Sequence, residues 1–385
     1  MARNLRVREQ HVAVFGASGS GKTVLVSSFF GAAQEKAFLE TSPFRLVADD
    51  TGQGNRLRQN YLRMRKDALT PEPTRFTATS YSFALKPTTQ RADKRSESRI
   101  FDELRLVWHD YPGEWFEEEP SSEEESKRRL EAFRGLLRSD VAVILVDGQK
   151  LLDYSGEEEK YLKSMLWGLR DGLLRLRDDL LDDGAPLSRF PRIWILALSK
   201  ADLHPDLDVH GFQDLLIEKA AGDVESLHDV LKDMVELPEA LSLGEDFMLL
   251  SSARFEPGRI DVAERVGLDL LLPVACLLPL ERLERWRSRF AVPRRLLNDL
   301  VDNADVLAPL LAGTTPHLAR LPKVGPYVAR WLPVALTAVT KGGPKVKEMN
   351  ERALAEGDHL TAVVTGFRLT LDEGVRTSLI VTSPK

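Results

Sequence analysis

Residues Gly16 to Thr23 read Gly-Ala-Ser-Gly-Ser-Gly-Lys-Thr, a glycine-rich octet with the makings of an anion cradle. Gly16, Gly19 and Gly21 leave room for the backbone N–H groups of the loop, Ala17, Ser18 and Ser20 included, to converge on phosphate oxygens. The Lys22 ammonium can then reach the outer phosphates, and the Thr23 hydroxyl can sit on Mg²⁺. Three further runs carry chemistry. Asp110-Tyr111-Pro112-Gly113-Glu114 contains an Asp-x-x-Gly, whose carboxylate can hold Mg²⁺ through water while the Gly113 N–H meets a γ-phosphate. Ser199-Lys200-Ala201-Asp202 and Ser251-Ser252-Ala253 lie further along.

These residues need elements to position them. The apolar run His11 to Phe15 reads as a strand and Val24 to Phe30 as a helix, giving the strand, glycine loop, helix order of a phosphate loop. Phe76 to Lys86 and Ile100 to His109 read as two strands joined by a long hairpin loop, the second delivering the chain to Asp110. Ala48 to Asn55 reads as a loop and Arg56 to Ala68 as a helix with a solvated basic side. Val141 to Asp147 and Phe190 to Leu198 have the uninterrupted apolar character of central parallel strands. Leu162 to Leu180 carries apolar residues at spacings of three and four, the stripe of a long amphipathic helix. Helical stretches around Gly211 to Ala221 and Val224 to Glu236 precede a last strand at Phe247 to Leu250. Strands alternating with helices from residue 11 to about 275 make the fold α/β with a mainly parallel sheet. Ligand loops belong at the carboxyl ends of such strands, where every run above falls.

The remainder bounds the molecule. Residues 1–280 form the expected phosphate-loop domain with insertions. Residues 281–385 form a helical extension, basic at its start and rich in proline, ending in a β-hairpin made by Leu360 to Leu371 and Val375 to Thr382. Tyr327 to Val339 is apolar, with helical packing favoured over a peripheral membrane contact. No run of about 18 uninterrupted apolar residues exists, so a spanning helix is not expected. The chain of 385 residues has a net charge of −6, which argues against a general nucleic-acid binder. Its single cysteine, Cys276, sits in an apolar run and reads as a buried structural thiol; the cytoplasm is the expected compartment. Glu117 to Glu119 and Glu123 to Glu125, followed by Lys127 to Arg129, read as a solvated segment with a helix starting near Ser121 or Ser122.

Taken together and in this order, the four runs resemble the phosphate, magnesium and base motifs of the Ras-like and translation-factor class of P-loop GTPases. Asp110 to Trp115 is similar to the DYPGEW run of the bacterial YcjX-like proteins and the related double-GTPase families. The resemblance covers residues 11 to about 255. It implies a G-domain-like three-layer sandwich with GTP or GDP as ligand and Mg²⁺ as cofactor. It also implies that Asp202 accepts from the guanine N–H and amino groups while the Lys200 stem lies against the base. Ser252 and Ala253 then belong to the base loop, with Ala253 supplying an N–H to the guanine carbonyl. Ser199 stands where the family has Asn or Thr. A switch threonine should close on Mg²⁺ and the γ-phosphate, and Thr74 is the first choice with Thr77 in reserve. Glu114 occupies the place of the water-orienting Gln, so with Lys22 and Thr74 it completes the expected catalytic set. The leading function is a slow, Mg²⁺-dependent GTP hydrolase acting as a switch toward an unidentified protein partner. Two alternatives stay open: a P-loop ATPase using Asp147 as its Mg²⁺ carboxylate, and a nucleotide-stabilised scaffold without turnover.

Overall fold

The computed structural model describes residues 7–71, 79–88, 103–111, 113–116, 120–181, 184–188, 190–256, 258–279, 281–282, 286, 343–356 and 359–383. Thr74, Thr77 and Tyr327 to Val339 lie outside these residues, as does the side chain of Glu114.

The strands are β1 (Val7–Phe15), β2 (Phe44–Ala48), β3 (Thr79–Pro87), β4 (Glu103–Asp110), β5 (Val141–Asp147), β6 (Ile193–Ser199), β7 (Ser242–Leu249), β8 (Arg254–Glu256), β9 (Arg259–Asp261) and β10 (Ile380–Val381). All but β8 and β9 form one eight-stranded sheet in the order β10-β7-β6-β5-β1-β4-β3-β2. The pairs β4–β1, β1–β5, β5–β6 and β6–β7 are parallel, whereas β2–β3, β3–β4 and β7–β10 are antiparallel. β1 therefore lies in the middle, with β4 on one side and β5 on the other.

Both faces of the sheet are covered, which makes the expected three layers. On one face pack α1 (Lys22–Ala32), α8 (Leu271–Cys276) and α10 (His359–Arg376). On the other pack α4 (Glu123–Leu136), α5 (Gly148–Asp153), α6 (Glu158–Leu180) and α7 (Val209–Lys232). The pleat divides one apolar strand between two cores: Val141, Val143 and Leu145 of β5 enter the first, and Ala142, Ile144 and Val146 the second. The remaining helices are α2 (Lys36–Thr41), α3 (Thr51–Asp67) and α9 (Gly343–Glu356). Cys276 is buried in the first core, where burial pushes its thiol up to about 12, as a structural cysteine requires. Among the described residues, no helix is long and apolar enough to cross a membrane.

Two stretches fold differently from expectation. Ala48 to Asn55 is not a loop: it closes β2 and opens α3, whose first turn is capped by the Asp50 side chain accepting from the Gln53 N–H at 2.7 Å. The same Asp, Gly and Asn residues that favour turns also favour helix starts. Leu360 to Leu371 is helix rather than hairpin strand. Val363, Val364, Phe367 and Leu371 recur at helical spacing and bury one face of α10 in the first core. Only Ile380–Val381 is strand in that segment, pairing with the β7 edge.

Residues on both sides of position 280 thus share one core, and a buried ion pair joins them. Arg282 and Asp246 are both fully buried and bonded to each other, with Asp246 also accepting from the Ser242 hydroxyl at 2.9 Å and the Ser383 N–H at 2.9 Å. Burial still raises the Asp246 carboxyl above its usual range, against the pull of Arg282. Truncating one partner strands the other charge in the core, so Asp246→Ala should cost roughly 3–5 kcal/mol in denaturant unfolding. A loss under about 1 kcal/mol would mean that the pair does not anchor the C-terminal segment.

Candidate nucleotide-binding site

β1 ends at Phe15 and the chain turns through Gly16 to Gly21 into α1. Gly19 and Gly21 have φ of 79° and 93°, left-handed values that a side chain resists. α1 begins on Gly21 without a side-chain cap and without an acidic residue in its first turn, so the N–H groups there can serve a ligand. The Ser20 hydroxyl is buried and folds back over Gly16, where a Cβ would lie 2.5 Å from it.

The loop after β4 is fastened to this cradle. The Tyr111 hydroxyl accepts from the Gly16 N–H at 2.8 Å, and the Lys22 ammonium lies 5.3 Å from the Tyr111 ring centre. Lys22 itself donates to the Gly16 and Ala17 carbonyls at 2.7 and 3.1 Å. Gly113 packs directly on the loop backbone: a Cβ there would lie 2.2 Å from Ser18 N. Beyond it, the single turn Gly113–Phe116 is tied to α4, because Arg129 donates from Nη1 to the Trp115 carbonyl at 3.1 Å and pairs with Glu125 at 2.6 Å. The Glu125 carboxyl is held down to about 2, first by the Ser121 hydroxyl and then by Arg129.

Asp110 lies at the end of β4 and is 2% exposed. The Thr23 hydroxyl is 3.4 Å from its Oδ2, and Oδ1 has no hydrogen-bond partner among the described residues. Burial pushes this carboxyl up to about 6, although the Lys22 charge, the Tyr111 N–H and the Thr23 hydroxyl all pull the other way. Asp147, at the equivalent end of β5, serves a different purpose. Its carboxylate takes the Lys200 ammonium at 2.8 Å and the Gln149 N–H at 2.9 Å, and caps α5.

The base end is built by the loops after β6 and β7. Lys200 adopts a left-handed φ of 54°, and Ser199 donates its hydroxyl to the Val146 carbonyl at 3.2 Å, fixing β6 to β5. Asp202 accepts from the Ser251 hydroxyl at 2.5 Å and from the Phe255 N–H at 3.2 Å. Ser251 pairs with Val266 through two backbone hydrogen bonds, which closes off residues 252–265 as an excursion containing the β8–β9 hairpin. Ala253, within that excursion, is fully buried, packed with Tyr61 and Met64 of α3 and with Ile260 and Val262. Ser252, one residue earlier, faces the cleft.

One cleft of about 550 Å³ joins these parts. Ser18 to Thr23 and Gly113 line one end, and Lys200, Asp202, Ser252 and Phe255 the other. Its size suits a nucleotide. The grip of Tyr111 on Gly16, the Asp147–Lys200 pair and the cleft-facing Phe255 were not assigned from sequence. Only Tyr111 carried a signal, through its place inside the Asp-x-x-Gly run.

A family model described as Double-GTPase 2 matches residues 10–236. The chain belongs to the Double-GTPase 2 family. It is therefore a P-loop GTPase of the double-GTPase type, and the match spans β1 to the end of α7. No curated protein sequence matches the chain. Among solved structures it is similar to nucleolar GTP-binding protein 1 from Plasmodium falciparum, at 13% identity and a TM-score of 0.32, covering 77% of this chain and 97% of that one. It is also similar to the signal recognition particle receptor SRb-GTP/SRX complex from Chaetomium thermophilum, at 16% identity and a TM-score of 0.33, covering 67% and 95%. At these scores the likenesses decide nothing further.

The raised Asp110 carboxyl has a consequence for the ligand-free Double-GTPase 2 chain. Its folded pKa of about 6 exceeds its ordinary value of 3.8, so the folded state binds the proton more tightly. Its contribution is full below pH 3.8 and is lost as pH rises through about 6, costing about 3 kcal/mol at pH 7. Asp110→Asn should therefore raise the unfolding free energy of nucleotide-free protein at pH 7 and flatten its slope between pH 4 and 7. An unchanged slope in the variant would show that the buried carboxylate is not the source.

Proposed function

We propose that this GTPase is a Mg²⁺-dependent hydrolase of low intrinsic rate that shifts its Asp110 to Arg129 segment between nucleotide states. The observation that carries the reading is the single cleft uniting the phosphate loop with Lys200 and Asp202, with Thr23 and Asp110 side by side beneath its phosphate end. In this reading α1 and Lys22 hold the phosphates, Lys22 exchanging its loop carbonyls for phosphate oxygens. Asp202 pairs with the guanine N–H and amino groups, displacing the Ser251 hydroxyl and the Phe255 N–H in part. Adenine leaves that carboxylate facing an acceptor, so the site rejects it by an unpaired buried polar group. Ser252, which lines the cleft, is better placed than the buried Ala253 to offer an amide to the guanine carbonyl.

Mg²⁺ fits the residues present: a buried carboxylate with one oxygen unpartnered, next to a hydroxyl, is the hard oxygen donor set the ion takes beside phosphates. When bound with nucleotide, the ion supplies positive charge against the phosphate oxygens. The Gly113 N–H senses the γ-phosphate, and Arg129 transmits the shift of the Gly113–Phe116 turn to α4. Glu114 replaces the neutral water-orienting side chain with a carboxylate, which repels the γ-phosphate and keeps turnover slow. Thr74 remains the proposed switch threonine.

The ATPase reading loses its main support because Asp147 is engaged with Lys200 rather than with Thr23. Asp110→Asn should abolish phosphate release, while Asp147→Asn leaves it measurable and weakens nucleotide binding through the loosened Lys200. The reverse pattern would favour the ATPase. A titration of GDP, GTP and ATP should show ATP bound at least about 100-fold more weakly, and Asp202→Ala should remove the preference. Equal binding of ATP and GTP by the unaltered protein would sink the guanine assignment, and absence of phosphate release under all conditions would leave a scaffold.

A further inference from the structure

Resting on the guanine-nucleotide reading, we propose that Phe255 is the aromatic surface on which the base stacks, held in place by α3. Two aromatic rings line the cleft among its described residues, Tyr111 and Phe255. Tyr111 is committed to the phosphate end, with its hydroxyl on Gly16 and Lys22 over its ring. Phe255 sits at the other end, and its own N–H reaches the Asp202 carboxylate at 3.2 Å. A half-buried ring beside the carboxylate that reads the edge of a planar base is placed to meet the face of that base.

The ring is also held from behind. It packs against the small cluster made by Tyr61 and Met64 of α3 with Ala253, Ile260 and Val262. α3 is fixed in turn on α1, where Gly31 admits the Tyr61 ring; a Cβ on Gly31 would lie 2.2 Å from Tyr61 Cγ. Tyr61 further donates to Glu35 at 2.7 Å. The helix therefore backs the Phe255 loop from the phosphate-loop side, so the ring is positioned before nucleotide arrives. Base stacking of this kind tolerates different bases, whereas Asp202 discriminates among them; Phe255 sets residence time and Asp202 sets identity.

The test compares Phe255→Leu, which keeps apolar bulk without a π face, with Phe255→Trp, which keeps the face. Phe255→Leu should weaken GDP roughly five- to hundredfold, mainly through faster dissociation, with inorganic triphosphate binding unchanged because that probe has no base. Phe255→Trp should stay within about threefold of the unaltered protein, with its indole fluorescence quenched by GDP. Unchanged GDP dissociation in Phe255→Leu overturns the proposal, as does an equal loss for GDP and triphosphate, which marks a packing role instead. These outcomes differ from failure of the parent reading, in which the unaltered protein itself shows no guanine preference and Asp202→Ala changes nothing. Melting of each nucleotide-free variant separates lost stacking from lost folding.

Discussion

Contact between two loops at the ends of neighbouring parallel strands governs the phosphate end of this GTPase. Gly113 lies so close to the Ala17–Ser18 backbone that no side chain can intervene, while the Tyr111 hydroxyl holds the Gly16 N–H two residues before it. The loop after β4 thus cannot move without altering the cradle, and a phosphate entering the cradle must act on that loop. The constraint reaches α4 through Arg129, which bonds to the Trp115 carbonyl and to Glu125. A segment that carries charge changes over this distance needs discrete contacts rather than a pliable tether, and Arg129 supplies one on the same turn as Gly113.

The base end has a parallel construction with different chemistry. Asp147 caps α5 and grips Lys200, and the Tyr161 hydroxyl accepts the Asp147 N–H at 2.7 Å from α6. Asp202 is hydrogen-bonded to Ser251 and Phe255, which orients its carboxylate in the ligand-free chain. Preorganisation of this sort lowers the ordering cost of binding. The strand order makes it available at one cleft: β4, β1, β5, β6 and β7 run parallel and in succession, so their carboxyl ends deliver all these loops to one edge.

That edge was legible in the sequence because phosphate and guanine binding demand particular residue types at fixed spacings. Gly16 to Thr23, Asp110 to Gly113 and Lys200 to Asp202 could be placed at strand ends from the apolar runs preceding them. The long parallel strands were legible for a simpler reason, since burial on both faces leaves no polar alternation. What escaped depends on tertiary partners. Nothing local tells that Asp147 faces Lys200, or that Ser252 lines the cleft while Ala253 is buried. In α10, Thr361, Val363, Val364 and Thr365 are β-prone by type, whereas burial follows the helical period of Val363, Phe367 and Leu371.

The phosphate end of the cleft holds polar groups that its own side chains leave unmet. α1 starts without a side-chain cap, and among the described residues neither the buried Asp110 Oδ1 nor the buried Ser20 hydroxyl has a hydrogen-bond partner. Elsewhere Asp50, Ser122 and Asp208 cap α3, α4 and α7 and the buried Asp246 is bonded on several sides, whereas the Ser28 hydroxyl, Trp108 Nε1 and Arg282 Nε are buried without a hydrogen-bond partner among the described residues. What sets Ser20 and Asp110 apart is their place at the phosphate end of the cleft, where a ligand that bonds to them offsets the cost of their burial. A ligand bound there stabilises the folded chain in proportion to its occupancy, so folding stability and nucleotide binding are linked at this end of the cleft.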